Sequence, residues 1–290
     1  MKGGHGARDA AARAARLAAI EALWRPQGAL PGRPLTAAVD RGFSGGAAAE
    51  RRHDLGAVSR TAARCARGHN PMKLLVFGAT GETVTVLVNQ ALDARHSVTA
   101  FVRDPARVRR AHHSLRTAVG DVMDPASVLA AMPGQEAVIC TLGTMPESRA
   151  DRARRQPGVP VCSVGTWNIL GAMARHAVRR IVVESSACVG DSRRTGRFGA
   201  GQVVHFVLRD VMNDKERQEC HLRESAAEWT IIRPVRLFNG ARTGRVTIGD
   251  AVAWGLTSRV SRADVAAVML GAVADESTVK RAITVCSGVP

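Results

Sequence analysis

The sequence of 290 residues contains no tyrosine, and aromatic residues make up only 3% of it. Enzymes that epimerise sugars or oxidise ordinary alcohols need a positioned side chain to move a proton. A tyrosine hydroxyl is excluded from that role here, which disfavours both classes of reaction. Hydride transfer to an acceptor that takes its proton from water requires less of the protein, so this class of reaction stays open.

The six cysteines contain no Cys-x-x-Cys pair, and neighbouring cysteines are more than ten residues apart. This spacing excludes the common zinc sites and a small disulfide-bonded scaffold, so we expect no metal. Apolar runs that approach the ~20 residues of a membrane-spanning helix are also absent from the sequence. We therefore predict a cytoplasmic protein with no membrane partner. The cysteines are Cys65, Cys140, Cys162, Cys188, Cys220 and Cys286.

The formal net charge of +16 is unevenly distributed along the chain. Residues 1–71 carry a charge of +7, and the other 219 residues carry +9. A basic chain can bind nucleic acid, but this one has no zinc-finger spacing, basic-region zipper or RNA-binding aromatic signature. We interpret the positive charge as the result of an arginine-rich composition and of a need for cationic groups that bind phosphate. We therefore expect no nucleic-acid partner.

Residues 1–71 differ from the rest of the chain because they consist mainly of Ala, Arg, Gly and Pro. The glycine and proline content predicts a low-complexity extension that is largely disordered, apart from one Ala-rich helix near its start. Charged residues interrupt the only candidate for a secretory signal. The segment also resembles an organelle transit peptide, although it has five acidic residues and few serines. We interpret it as a dispensable extension and expect residues 72–290 to form the folded domain.

From Met72 onward, short apolar segments alternate with segments of helical period. Buried parallel strands are typically continuous apolar runs, and repeated βα units build one doubly wound sheet. We therefore predict an α/β protein with a Rossmann-like parallel sheet. Strands are predicted at residues 73–77, 97–102, 115–119, 136–141, 180–184, 228–232 and 282–286, and helices at residues 82–94, 125–132, 166–176, 203–225 and 261–274.

The first strand is followed by a glycine motif, Gly78-x-x-Gly81-x-x-Val84, that opens a helix. In dinucleotide sites the first glycine allows a sharp turn, the second allows close approach of the diphosphate, and the third serves helix–strand packing. The helix N-terminus offers free N–H groups and a positive dipole end to the phosphates. We expect Val84, in the third position, to disturb packing more than phosphate contact, which gives a weakened or slightly displaced site.

The end of the second predicted strand carries information about the cofactor. A carboxylate at this position holds the ribose of NAD, whereas cationic side chains suit the 2′-phosphate of NADP. Arg103 stands first, and Arg107, Arg109 and Arg110 follow it. Asp104 leaves NAD open. We predict NADP as the cofactor, with NAD as the alternative.

Residues 72–287 resemble the atypical short-chain dehydrogenase/reductase proteins. Within them, the chain is similar to the NAD(P)H-binding group that contains flavin reductase/biliverdin reductase B and NmrA-like proteins. The stretches that carry the resemblance include MKLLVFGATGET, VTAFVRDPARV, GDVMDPASV, QEAVICTLGT, GTWNILGAMARHAVRRIVVESSACVGDS, DKERQECHLRESAAEWTIIRP and SRADVAAVML. The resemblance covers about three-quarters of the chain. Val84 departs from the pattern.

The resemblance implies a set of cofactor contacts at the ends of the strands. The diphosphate would be lined by the glycine loop, the 2′-phosphate would meet Arg103, and the adenine would lie between the residues after the third strand. Residues after the fourth and fifth strands would run toward the nicotinamide, and Arg233 and Pro234 would border the substrate opening. The implied cofactor residues are Gly78, Thr80, Gly81, Glu82, Thr83, Arg103, Asp121, Val122, Leu142, Gly143, Thr144 and Ser185, with Ser186 and Ala187 nearby.

Many relatives use a Tyr-x-x-x-Lys pair, which a chain without tyrosine cannot supply. Two candidate catalytic residues are left. Either Lys215 contacts the cofactor ribose or a substrate carboxylate, or it is an exposed lysine on a helix, paired with Glu219. Either Ser186 donates a hydrogen bond to the acceptor, or its hydroxyl forms hydrogen bonds with backbone groups at the strand end.

These features favour an NADPH-dependent reductase of a planar small molecule such as a flavin or a quinone, because the cofactor carries the difficult step. Two alternatives stay open. One is a non-catalytic NmrA-like protein that senses NADP, and the other is a tailoring reductase of a secondary-metabolite pathway. We expect a monomer or a weak homodimer.

Arg103→Glu is expected to raise the dissociation constant for NADPH much more than that for NADH, because only NADPH carries the 2′-phosphate. Calorimetric titration with both nucleotides measures the two changes. Equal changes would show that Arg103 does not meet the 2′-phosphate.

Overall fold

A computed structural model describes residues 70–78, 81–108, 110–143 and 160–287 of the chain. All of these residues belong to one compact unit, Leu55–Pro290. The predicted N-terminal extension lies outside the described residues, except for its last two positions. The boundary between residues 71 and 72 stays a prediction.

One eight-stranded sheet dominates the structure, with the strand order β3-β2-β1-β4-β5-β6-β10-β8. Seven of these strands are parallel, and β8 pairs antiparallel with β10 at one edge. Two further short strands, β7 and β9, form a separate parallel pair. The strands are Lys73–Phe77 (β1), Ser97–Val102 (β2), Leu115–Val119 (β3), Ala137–Cys140 (β4), Arg180–Glu184 (β5), Glu228–Pro234 (β6), Arg236–Phe238 (β7), Val246–Gly249 (β8), Arg259–Ser261 (β9) and Arg281–Ser287 (β10).

Helices cover both faces of this sheet. The helices α1 and α6 pack on each other and on the face that carries Leu74, Val76 and Val182. On the other face, Cys140 of β4 contacts Thr166 of α3 and Gln218 of α5. The predicted doubly wound Rossmann-like fold is therefore confirmed. The helices are Glu82–Asp93 (α1), Pro125–Ala131 (α2), Val161–Arg175 (α3), Ala200–Val207 (α4), Arg209–Glu224 (α5) and Arg262–Ala274 (α6).

The helix predicted at residues 203–225 is wrong, because two helices occupy that part of the chain. Leu208 ends α4 with non-helical backbone angles, φ −111° and ψ 31°, while its N–H still bonds the carbonyl of Val204. The new helix α5 begins at the next residue, Arg209. The start of α3 is also earlier than predicted, at Val161, since Asp214 of α5 accepts hydrogen bonds from the first backbone N–H groups of α3.

The strand order reverses direction between β1 and β4, since successive strands proceed outward from β1 in one direction and from β4 in the other. In open α/β sheets, ligands bind in the crevice outside the carboxyl ends of the strands at such a switch point. The glycine motif follows β1, so the fold places this motif at the crevice.

Val84, which replaces the third glycine, is only 1% exposed and belongs to the buried cluster of the α1–α6 face. Its side chain contributes to the packing beneath the loop. This is the location expected for the third residue of the motif. Its effect on cofactor affinity stays a prediction.

Val84→Gly is expected to lower the free energy of unfolding by about 2–3 kcal/mol, because a buried side chain is lost and glycine is a poor helix former. Val84→Ala, which keeps helix propensity, is expected to cost about half as much. Chemical denaturation measures both changes. A loss below about 0.5 kcal/mol for Val84→Gly would show that the core does not depend on this valine.

Candidate functional site

The turn after β1 is built around a glycine that no other residue can replace without strain. Gly78 has φ +86°, and a Cβ atom on it would lie 2.7 Å from the Thr141 Oγ1 atom and 2.8 Å from the Thr141 carbonyl oxygen. Thr141 is fixed in place because its hydroxyl donates to the Phe77 carbonyl at 3.0 Å. The ends of β1 and β4 therefore approach each other as closely as the backbone permits.

The turn delivers the chain directly into the N-terminus of α1. Gly81 is the N-cap residue, its N–H donates to the Gly78 carbonyl at 3.0 Å, and its own carbonyl accepts from Thr85. Among the described residues, no side chain caps this helix. Its first N–H groups, including that of the buried Thr83, combine with the positive end of the helix dipole and suit a diphosphate. The tight glycine turn and the uncapped helix fit a dinucleotide.

A carboxylate lies in this first turn, where it would repel the phosphates. The Glu82 Oε2 atom lies 3.1 Å from the Arg262 Nη2 atom, at the start of α6. Arg262 is held from its other side by the Asn239 Oδ1 atom at 2.9 Å. Arg262 therefore offsets the charge of Glu82. Arg262 is not predictable from the sequence as a site residue, because 180 positions separate it from Glu82.

At the end of β2, Arg103 is exposed to solvent. Asp104 caps the following 3-10 turn, with its Oδ1 atom accepting from the Ala106 N–H at 3.0 Å. Arg110 is tied to α1 by a hydrogen bond to Asn89 and an ion pair with Asp93. Arg109 lies outside the described residues. Arg103 is thus the cationic side chain that is exposed to solvent immediately after β2.

Close packing fixes the residues that follow β3 and β4. A Cβ atom on Gly165 of α3 would lie 2.8 Å from Leu142 and 2.9 Å from Val122, so this glycine lets the helix approach both residues. Asp121 accepts a hydrogen bond from the Met123 N–H at 3.0 Å, which shapes the exposed turn after β3. Gly165 is a residue that the sequence analysis missed.

Lys215 is buried, so the interpretation of it as an exposed helix lysine paired with Glu219 is wrong. Its Nζ atom donates to the Leu142 carbonyl at 3.2 Å and to the Glu184 carbonyl at 3.0 Å. These carbonyls lie at the ends of β4 and β5. Lys215 therefore fastens α5 to the two strand ends that border the crevice.

The adjacent serines after β5 have different surroundings. The buried Ser185 donates its hydroxyl proton to the Glu219 Oε1 atom at 2.6 Å. Ser186 is only partly buried, and its Oγ atom accepts from the Cys188 N–H at 3.3 Å. Of the two hydroxyl groups, that of Ser186 keeps its proton available for another acceptor.

A buried ion-pair network lies beneath these serines. Arg233 is fully buried and binds both carboxylate oxygens of Glu219, at 3.0 and 2.7 Å, and it also pairs with Asp191. Burial alone disfavours the charged guanidinium, but Glu219 and Asp191 outweigh that effect and raise the pKa of Arg233. The implied position of Arg233 at the substrate opening is wrong for its side chain, which is committed to holding the segment after β5.

The fold brings most of the predicted site residues to the side of the sheet where the parallel strands end. In the part of the chain that the structure describes, no group of three or more histidine, cysteine or acidic side chains is placed to hold a metal. No described helix combines the length and apolar character that a membrane-spanning helix needs. Thr80 and Thr144 lie outside the described residues. The predicted residues at this edge are Gly78, Gly81, Glu82, Thr83, Arg103, Asp121, Val122, Leu142, Gly143, Ser185, Ser186 and Lys215.

Residues 78–276 match the model of a family described as NAD(P)H-binding. The chain is also 28% identical, over 215 residues, to an uncharacterised chloroplastic protein of Arabidopsis thaliana. That alignment covers 72% of this chain and 74% of the Arabidopsis protein.

Solved structures share the fold at low identity. The oxidoreductase ylbE from Lactococcus lactis has a TM-score of 0.62 at 21% identity, covering 75% of this chain and 91% of that one. ChuY from Escherichia coli O157:H7, described as an anaerobillin reductase, has a TM-score of 0.61 at 19% identity, covering 74% and 97%. A short-chain dehydrogenase/reductase from Veillonella parvula, solved in complex with NADP, has a TM-score of 0.58 at 20% identity, covering 76% and 95%.

Arg262→Met is expected to raise the dissociation constant for NADP about tenfold, because Glu82 would then face the diphosphate without the charge of Arg262 beside it. Tenfold corresponds to about 1.4 kcal/mol, the size expected for partly exposed charges a few ångströms apart. Calorimetry of the double variant Arg262→Met/Glu82→Gln is expected to show affinity restored to near that of the parent. An equal loss in the single and double variants would contradict the compensating role.

Proposed function

The chain belongs to the NAD(P)H-binding family, and on that premise we propose that it is an NADPH-dependent reductase of a planar acceptor such as a flavin or a quinone. The observation that carries this proposal is the uncapped N-terminus of α1 beside the tight turn at Gly78. The description of the family as NAD(P)H-binding supports this use of the turn and the helix start for the cofactor diphosphate. The cofactor-binding and catalytic roles of the site residues named above are proposed together with this function.

The preference for NADPH over NADH rests on the end of β2. Arg103 is exposed there and suits a phosphate, as a guanidinium binds phosphate oxygens in pairs. Asp104 would have to hold the ribose hydroxyl of NAD, but one of its oxygens already caps the 3-10 turn. The charge and the hydrogen bonds at this position therefore favour the phosphorylated cofactor.

The bound cofactor would supply a hydride, and the residues of this chain would bind, orient and shield the reactants. Lys215 holds the ends of β4 and β5 together through their carbonyls, which fixes the floor of the crevice. Ser186, whose Oγ atom accepts only the Cys188 N–H bond among the described residues, would donate a hydrogen bond to the acceptor. A flat acceptor suits this arrangement, since its reduction does not depend on a tyrosine.

The structural neighbour described as an anaerobillin reductase supports a reductase role here. The name of the Arabidopsis relative places that protein in the chloroplast, which favours the interpretation of residues 1–71 as a transit peptide. The cytoplasmic location, the oligomeric state and the identity of the acceptor stay predictions.

The full-length protein is expected to bind NADPH at least about tenfold more tightly than NADH and to oxidise NADPH in the presence of flavin mononucleotide or a short-chain quinone. Gly78→Ala is expected to abolish binding, because the new Cβ meets Thr141 and the backbone is strained. Gly134→Ala is the matched control, since Gly134 also has a positive φ, +74°, but a Cβ there meets nothing within 4 Å. Calorimetry measures binding, and loss of NADPH absorbance measures turnover.

Two outcomes would contradict parts of this proposal. Tight NADPH binding without turnover across a panel of flavins and quinones would support an NADP-sensing protein instead. Absence of binding of either nucleotide to the folded parent protein would refute the cofactor site itself.

A further inference from the structure

One buried acidic residue at the carboxyl end of a central strand takes no part in the contacts described above. Glu184 is the last residue of β5 and directly precedes Ser185. It is 8% exposed, and among the described residues its carboxylate oxygens have neither a hydrogen-bond donor nor an ion-pair partner within bonding distance. A buried ionised carboxylate without partners is costly, so this group needs a physical explanation.

The charges around Glu184 come from several elements. Lys215 of α5 and Arg262 of α6 both act on it electrostatically, but Lys215 donates to main-chain carbonyls and Arg262 pairs with Glu82 of α1. On β4, the thiol of Cys140 is within electrostatic range, and on β6 the paired residue is the apolar Ile232. Glu184 therefore lies near two cations whose hydrogen bonds and ion pairs are directed elsewhere.

Burial is the largest influence on the protonation of this group. It raises the pKa of Glu184 from its ordinary value of 4.5 to about 7, against the opposing effects of Lys215 and Arg262. A carboxyl group with such a pKa exchanges a proton readily near neutral pH, which is the property of a useful general acid.

The strand order places Glu184 toward the reactive half of the proposed cofactor. The diphosphate would lie at the turn after β1, and Arg103 at the end of β2 would mark the adenosine side. The nicotinamide side must then extend in the opposite direction, over β4 and β5. Adjacent strands are about 4.8 Å apart, so the end of β5 lies about 10 Å from that of β1. Glu184 stands at the end of β5.

The other acidic groups near this edge are already paired. Glu219 binds Arg233, and Asp191 also binds Arg233. Asp214 accepts three hydrogen bonds from the start of α3. Within residues 180–234 of the described chain, Glu184 is thus the buried carboxyl group that has no bound partner.

We propose that Glu184 is the acid that completes the reduction: it protonates the nitrogen or oxygen of the acceptor that has received the hydride. In this step the Glu184 O–H bond breaks and an N–H or O–H bond forms on the acceptor. The hydride comes from the C–H bond of the reduced nicotinamide, and the Glu184 carboxylate then regains a proton from water. This inference rests on the proposed function, and it assigns to Glu184 the proton-donor role that no tyrosine can fill in this chain.

The altered protonation of Glu184 has a consequence for stability that does not depend on catalysis. Because the pKa is higher in the folded protein, the folded state binds more protons than the unfolded state between pH 4.5 and about 7. The free energy of unfolding therefore falls as the pH rises through this window. Glu184→Gln is expected to lack this contribution, and Glu276→Gln, which changes an exposed glutamate, is expected to retain it.

Proton exchange on cofactor binding tests the proposal directly. The oxidised nicotinamide ring is positively charged, so its arrival beside Glu184 is expected to favour the carboxylate and release a proton, whereas NADPH is expected to release less. Calorimetry at pH 7 in two buffers of different ionisation enthalpy measures the number of protons released. The difference between NADP and NADPH is expected to vanish in Glu184→Gln and to persist in Glu276→Gln. In turnover, Glu184→Gln is expected to lower kcat about hundredfold or more.

The outcomes separate this proposal from the proposed function. If the parent protein binds both nucleotides but releases the same number of protons with each, or if Glu184→Gln keeps the parent kcat, Glu184 is not the acid while the reductase proposal stands. If the parent protein binds neither nucleotide, both proposals fail.

Discussion

The close approach of the β1 and β4 ends is the constraint on which the rest of the site depends. Gly78 faces Thr141 with no space for a side chain, and its positive φ turns the chain into α1 within three residues. A bulkier turn would separate the strand ends and tilt the helix away from the crevice. The uncapped start of α1 points at the switch point of the sheet because this one contact is tight.

The other side of the crevice is held by buried polar contacts from α5. Lys215 fastens the helix to the ends of β4 and β5, and Glu219 fastens it to Ser185 and Arg233. Removing one partner from such a network leaves an unpaired buried charge, which costs more than the bond itself contributes. The polar side chains of α5 are thus committed to holding the structure, and Glu184 is the proton source that we propose.

The sequence predicts the sheet well because most of its parallel strands, such as β1, β4 and β5, are buried on both faces and therefore read as apolar runs. It also predicts the glycine turn, since Gly78 and Gly81 are adjacent in the chain to the strand and helix they join. It does not predict the pairing of Glu82 with Arg262 or the burial of Lys215, because these depend on contacts between elements far apart in sequence. The break at Leu208 has no glycine or proline to mark it, and the antiparallel strand β8 is too short to stand out from the surrounding loop.

The central claim is that backbone N–H groups at the start of α1 bind a cofactor diphosphate. A crystal structure of the full-length protein grown with NADP tests it most directly. The account predicts diphosphate oxygens within hydrogen-bond distance of the N–H groups that follow Gly81, and a 2′-phosphate beside Arg103. A nucleotide bound elsewhere, or a crevice closed by another part of the chain, would contradict it.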